Sequence, residues 1–211
     1  MKLHRSIAVA FGAAVLVLAT ATSGHAQGKV SVEGHGGIAI PAGDLADLYD
    51  VGPNFGANLE YNLNSRVAIR IGGDVDILSG VDMDANGQEP PDLNIYHYNA
   101  GIVLRLVEPG TSEWSFDVNA NGGGSTFDSD TFTPVGTGGP QDFSETYFTF
   151  NGGLRVGYDL SPRAAVFVGG QVYVIFADET DSAALASLRT DASPFDTAVT
   201  IPVNAGILIH I

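Results

Sequence analysis

The sequence predicts an all-β fold, an eight-stranded antiparallel up-and-down transmembrane β-barrel, on three observations. Apolar and polar side chains alternate through eight segments of strand length, the period of a strand whose two faces meet different surroundings. The connectors between these segments are alternately short and long. The last eight residues place a polar side chain at Asn204, a glycine at Gly206, and apolar side chains at every odd position through Ile209 to Ile211. No apolar run reaches the roughly 20 residues a membrane-spanning helix needs, so a membrane would be crossed by strands.

The elements follow in order. Residues 1–26 read as a secretory signal peptide, with a basic start (Lys2, His4, Arg5), an apolar stretch from Ile7 to Ala19 and small residues up to Ala26, and cleavage is expected before Gln27. Residues 27–211 are expected to form the barrel as one domain. Val30–Ile40 is the first strand, and Pro41–Pro53 a long loop with a short helix over Asp44–Tyr49, where apolar residues recur at helical spacing behind an acidic cap. Asn54–Tyr61 and Arg66–Ser79 are joined by the tight turn Asn62 to Ser65, and the polar loop Gly80–Asp92 follows. Leu93–Val107 and Glu113–Phe127 are joined through Pro109 and Gly110, with Asp128–Asp142 as the third loop. Phe143–Tyr158 and Arg163–Ala177 are joined through Ser161 and Pro162. The last loop, Asp178–Asp196, carries a second short helix over Ser182–Arg189 and leads into Thr197–Ile211.

Composition narrows the function. There is no cysteine, so neither disulfides nor thiolate chemistry are available. Loss of Lys2 and Arg5 with the signal peptide leaves 7 basic against 24 acidic residues, a formal charge of −17. Nucleic acid is excluded as a partner, because phosphate binding needs clustered Lys and Arg.

One face of the strands is apolar, as in Val67, Ile69 and Ile71 or Val199, Ile201 and Val203; the other takes the charges and the histidines His35, His97 and His210. Alternation alone leaves open which face points inward, since a soluble ligand-carrying barrel puts the apolar face inside. The aromatics favour lipid outside. Tyr61, Trp114 and Tyr158 lie on the apolar face beside the short turns, and Phe55, Tyr96, Phe148 and Phe176 lie on it nearer the loops, as two membrane girdles would.

With these residues in place, the chain resembles the small eight-stranded outer-membrane β-barrels of the porin-like surface-protein superfamily, of the OmpA-transmembrane-domain and OmpX plan. The segments Gly37 to Leu45 and Gly56 to Tyr61 are family-like. Asn204, Gly206, Ile209 and Ile211 resemble the C-terminal signal recognised by the barrel-assembly machinery, departing from it in ending on Ile211 where an aromatic is usual. The resemblance implies the outer membrane of a Gram-negative-type bacterium, periplasmic termini and turns, extracellular loops, and outer-membrane lipid and lipopolysaccharide as surroundings. It names no extracellular ligand.

Inside so narrow a barrel side chains fill the lumen. Glu33, Glu60, Arg70, Arg105, Glu113, Asp117 and Arg155 count to similar depths from the turn end, so a paired ionic belt is expected in that half, while Asp74, Asp76 and Glu145 are expected nearer the loops, without basic partners and within reach of water. The loops hold 15 of the acidic residues and one basic residue, Arg189. Among them Asp82, Asp84 and Asn86, followed by Gly87, match the first half of a calcium loop; the twelfth position is Leu93 instead of a bidentate Glu. Calcium is the one candidate cofactor. No catalytic arrangement is read: His97 has no serine two positions on, Gly122 to Ser125 lacks the lysine of a phosphate loop, and no Gly-x-Ser-x-Gly occurs. The expectation is a non-catalytic barrel with a charge-plugged lumen and acidic loops, serving envelope integrity or surface contact. A narrow passive pore for small cations is the alternative, and a lipid-modifying enzyme a third.

Overall fold

The computed structural model describes residues 29–81, 91–107, 111–132, 141–177 and 197–211. They form eight strands: β1 (Val30–Ala42), β2 (Gly52–Asn62), β3 (Val67–Leu78), β4 (Leu93–Arg105), β5 (Trp114–Phe132), β6 (Gln141–Ser161), β7 (Ala164–Phe176) and β8 (Thr197–His210). Each pairs antiparallel with its neighbours in sequence order, and β1 pairs with β8 from Ser31↔His210 to Ala42↔Val199, which closes the ring. Closure leaves no strand edge in the hydrocarbon, where an unpaired backbone group costs several kcal/mol. Among the described residues no helix is long and apolar enough to cross a membrane.

The expected segments recur with shifted ends. β5 and β6 run on past Phe127 and Phe143, pairing as far as Phe132↔Gln141, so much of the expected loop Asp128–Asp142 is strand. Once a hairpin clears the hydrocarbon its ladder no longer needs an apolar face, and Asp128 and Ser129 do not end it. At the other end β6 continues through Asp159 to Ser161, across a register shift, into what reads as the turn. The helix expected over Asp44–Tyr49 is a 3-10 segment, Gly43–Asp47, with no side-chain cap. Gly43 enters it at φ 63, in the left-handed region that glycine tolerates best. The signal peptide and the helix expected over Ser182–Arg189 fall outside the described residues.

The apolar face points outward. Ile69, Ile71, Ile102, Leu154, Val168 and Ile207 are exposed on it. Trp114 and Tyr61 are exposed at the turn end, with Tyr158 against Trp114 at 5.2 Å between ring centroids, while Phe55, Phe148 and Phe176 are exposed nearer the loops.

The interior is less uniform than alternation implies. Toward the loops it is apolar: Ala39, Leu78, Leu93, Ile95, Phe127, Tyr147, Tyr173, Ile175 and Ala198, from seven of the eight strands, pack with Leu45, Leu48 and Tyr49 of the first loop. Leu45, Leu48 and Tyr49 are fully buried within this cluster of inward side chains, so the first loop turns into the ring and corks its loop-end mouth. The cork is fastened to the end of β3, where Asp50 N donates to Ser79 O at 2.8 Å and Val81 N donates to Leu48 O at 3.0 Å. Burial, with the charge of Asp92 adding to it, pushes the Tyr49 phenol up, so its hydroxyl stays protonated.

Candidate functional site: the barrel lumen

Below the cork the lumen is polar, and its lowest storey is ionic. Arg155 on β6 points across the barrel: its Nε and Nη2 donate to Asp117 Oδ2 on β5 at 2.9 and 2.6 Å, its Nη1 to Glu60 Oε1 on β2 at 2.9 Å, and Nη1 also to Glu33 on β1. Arg70 on β3 donates to Glu33 Oε1 at 2.7 Å, and Asn58 Nδ2 reaches the same oxygen at 2.9 Å. The aromatic ring of Phe167 lies 5.5 Å from the Arg155 guanidinium carbon, a cation–π distance. All five charged side chains are buried. Planar guanidinium suits this place, because it delivers several N–H groups in fixed directions to carboxylates on different strands.

Arg105 joins at the margin. Its Nη2 donates to Asn62 Oδ1 at 2.7 Å and approaches Glu60 Oε2 only at 3.4 Å. Glu113 does not join, contrary to expectation: it lies just outside β5, exposed, and accepts a hydrogen bond from the Tyr158 hydroxyl at 2.7 Å on the outer surface. It has the parity of the inward face but sits beyond the end of the lumen.

Asp74 and Asp76 also depart from expectation. Both are buried, and both have basic partners in the histidines. His35 Nε2 meets Asp74 Oδ1 at 2.6 Å while its Nδ1 meets Glu33 Oε1 at 3.1 Å, so both ring nitrogens face carboxylate oxygens. That is the geometry of an imidazolium, since a neutral ring has one nitrogen without a proton. Asp74 Oδ2 accepts from the Tyr173 hydroxyl at 2.6 Å, and the Tyr173 ring stacks on His97 at 4.0 Å. His97 Nε2 meets Asp76 Oδ2 at 3.1 Å, and Asn54 Nδ2 donates to Asp76 Oδ1 at 2.7 Å. Glu145, by contrast, is exposed at the loop end. Among the described residues five carboxylates thus share the lumen with three guanidiniums and the imidazoles of His35 and His97. His210 stands apart at the turn end, where its Nδ1 meets Ser31 Oγ at 2.9 Å.

One arrangement invites a catalytic reading that the sequence does not suggest. His97 Nδ1 meets Ser125 Oγ at 2.7 Å, which puts serine, histidine and Asp76 in hydrogen-bonded order. Ser125 is nonetheless fully buried, its Oγ is 2.6 Å from Thr149 Oγ1, and each member lies two positions below an apolar side chain on its own strand: Phe127, Ile95 and Leu78. Strand amides around it are committed to the ladder, which leaves no pair of donors aimed at a developing oxyanion. Among the described residues no group of three or more His, Asp or Glu could hold a metal ion. Asp82, Asp84 and Asn86 lie outside them.

Inward glycines make room for these side chains. A Cβ on Gly56 would meet His35 Nε2 and Asp74 Oδ1, and one on Gly206 would meet the ring of Phe167.

A closed eight-strand ring of this kind has counterparts. The family model described as the OprF membrane domain matches residues 1–173. The chain belongs to the OprF membrane-domain family. No curated protein matches it in sequence. Among solved structures it is similar to Neisserial surface protein A, NspA, with 12% identity, a TM-score of 0.59, and coverage of 90% of this chain and 100% of that one. It is also similar to the outer membrane protein OprG from Pseudomonas aeruginosa, with 9% identity, a TM-score of 0.51, and coverage of 87% and 98%. At such identities the two structures speak for the fold alone. As an OprF-type domain the chain is an outer-membrane β-barrel, and the outward apolar face and its two levels of aromatics are the features by which such a barrel meets lipid. In the terminal strand of this OprF-type barrel Asn204 is buried opposite Gly37, Gly206 faces His35 across the β1–β8 seam, Ile209 is exposed outward, and Ile211 N donates to Val30 O at 2.9 Å.

Proposed function

We propose that this chain is a non-catalytic, closed outer-membrane barrel, exported by its signal peptide, that contributes to envelope integrity and presents an acidic surface outside the cell. The observation that carries the reading is Arg155, which bonds carboxylates from three other strands across the lumen. Charge polarity supports the orientation with turns and termini in the periplasm. Lys29, Arg66 and Arg163 are exposed at the turn end, whereas Asp44, Asp47, Asp50 and Asp92 are exposed at the loop end. Acidic loops beside anionic lipopolysaccharide repel one another and are screened by divalent cations, a role in which calcium acts as bridging counter-ion. Planar-bilayer recording from the refolded protein tests the closed lumen. Silence at moderate voltage is expected; steady cation-selective steps from the wild type would replace this reading with that of a narrow pore.

A further inference from the structure

Two closures of different chemistry lie one above the other in the lumen. At the loop end Leu45, Leu48 and Tyr49 fill the ring among aliphatic and aromatic walls; toward the turns Arg155 and Arg70 bridge Glu33, Glu60 and Asp117. Between them stands a storey of His97, Ser125 and Thr149; Tyr173, which packs in the cork's cluster, reaches the belt only at two removes, through Asp74 and His35, and no side chain belongs to both closures. Their attachments share only β3, and there at different heights. The cork hangs from Gly43 and from the end of β3, while the belt is held by side chains of β1, β2, β3, β5 and β6. We infer that cork and belt are independent seals in series, so that the barrel conducts only when both are opened; this deepens the closed-lumen reading above and rests on it.

The physics of the two barriers differs. An ion entering the cork would shed its water among Leu78, Ile95, Phe127 and Ile175, which offer nothing in exchange. An ion entering the belt would have to displace a guanidinium from carboxylates already bonded to it. In series, current is limited by whichever barrier remains, so opening one leaves the other in control.

The test uses the full mature chain in four forms, each first shown to be folded by its heat-dependent mobility. They are the wild type, Leu45→Asn with Leu48→Asn, Arg155→Ala with Glu60→Ala, and all four changes together. The paired belt change removes equal and opposite charge, so the belt's net charge is unaltered. The wild type and both partial variants should be silent in planar bilayers, and the combined variant should show conductance steps. Steps from either partial variant as large as those of the combined one would overturn the series arrangement while leaving a closed wild type intact; a folded combined variant that stays silent would overturn it as well. Steady conduction by the wild type would instead sink the closed-lumen reading. A second readout is independent of whether belt variants fold. The chain has no cysteine, and Ser125 lies between the two seals, so Ser125→Cys can report access from the loop side. A charged thiol reagent should modify it in the Leu45→Asn, Leu48→Asn background and not in the wild-type background, and equal rates in the two would overturn the role of the cork.

Discussion

Arg155 answers to three carboxylates from three strands, so its loss strands charge in a place that water does not reach. Removing one member of a buried ionic group costs about 3–5 kcal/mol, and Arg155→Ala should cost that much in urea unfolding from lipid vesicles. Arg105→Ala should cost clearly less, because its contact with Glu60 is long and its closer partner is the neutral Asn62; the opposite ranking would move the centre of the belt to Arg105. Glycine provides a second residue-scale test. Gly56→Ala drives a Cβ into the His35–Asp74 contact and should destabilise the barrel by roughly 1–3 kcal/mol, the usual cost of overpacking. Gly152→Ala faces outward, where the nearest atom is Asn119 O at 3.5 Å, and should leave stability unchanged in the same assay. Parity along each strand made the belt carboxylates and arginines legible as one inward face. It could not report heights across strands, which depend on how the strands slide past one another in a tilted barrel, and so Glu113 read as lumenal and Asp76 as unpartnered. Only the register brings His97 opposite Asp74 and Ser125, with Asp76 diagonally within reach.

At the scale of elements, the upper ends of the strands carry the feature that alternation obscured. Val172 to Phe176 is an unbroken apolar run, as is Ile77 to Leu78, and such runs mark a strand that is covered on both faces. The first loop supplies the inner cover, with Leu45 of the 3-10 segment and Leu48 just after it each contributing about 1.5–3 kcal/mol through burial. Its spacing was visible in the sequence; that it folds into the ring and not over it was not, because nothing local distinguishes the two. β5 offers a direct test of membrane placement. Trp114 is the only tryptophan and is 53% exposed on the outer face at the turn end. Its emission should shift to the blue as the barrel inserts, and lipids brominated near the headgroup should quench it more than lipids brominated at mid-chain. Stronger quenching from mid-chain bromines would mean that the first girdle does not mark the interface.

For the whole molecule the decisive property is closure. A ring whose ladder has no free end resists detergent, so the unheated protein should migrate faster than the boiled protein in SDS gels. Equal mobility, together with solubility in the absence of detergent, would fit a soluble barrel. Eight strands and their alternating connectors were legible because each is a local pattern, whereas the pairing of β1 with β8 is not local and followed only from the need to leave no edge in lipid. The belt adds a consequence for the order of assembly. Arg155 and Glu33 are separated by 122 residues and come together only when strands from both ends of the chain have met. Before that moment an open sheet already sets Arg155 beside Asp117 and Glu60 beside Arg70, yet it turns all of these charges, Glu33 included, out on one uncovered face, and each such ion costs several kcal/mol in hydrocarbon. A partly formed sheet is therefore barred from entering the bilayer alone, and insertion has to wait for, or coincide with, the joining of the first strand to the last.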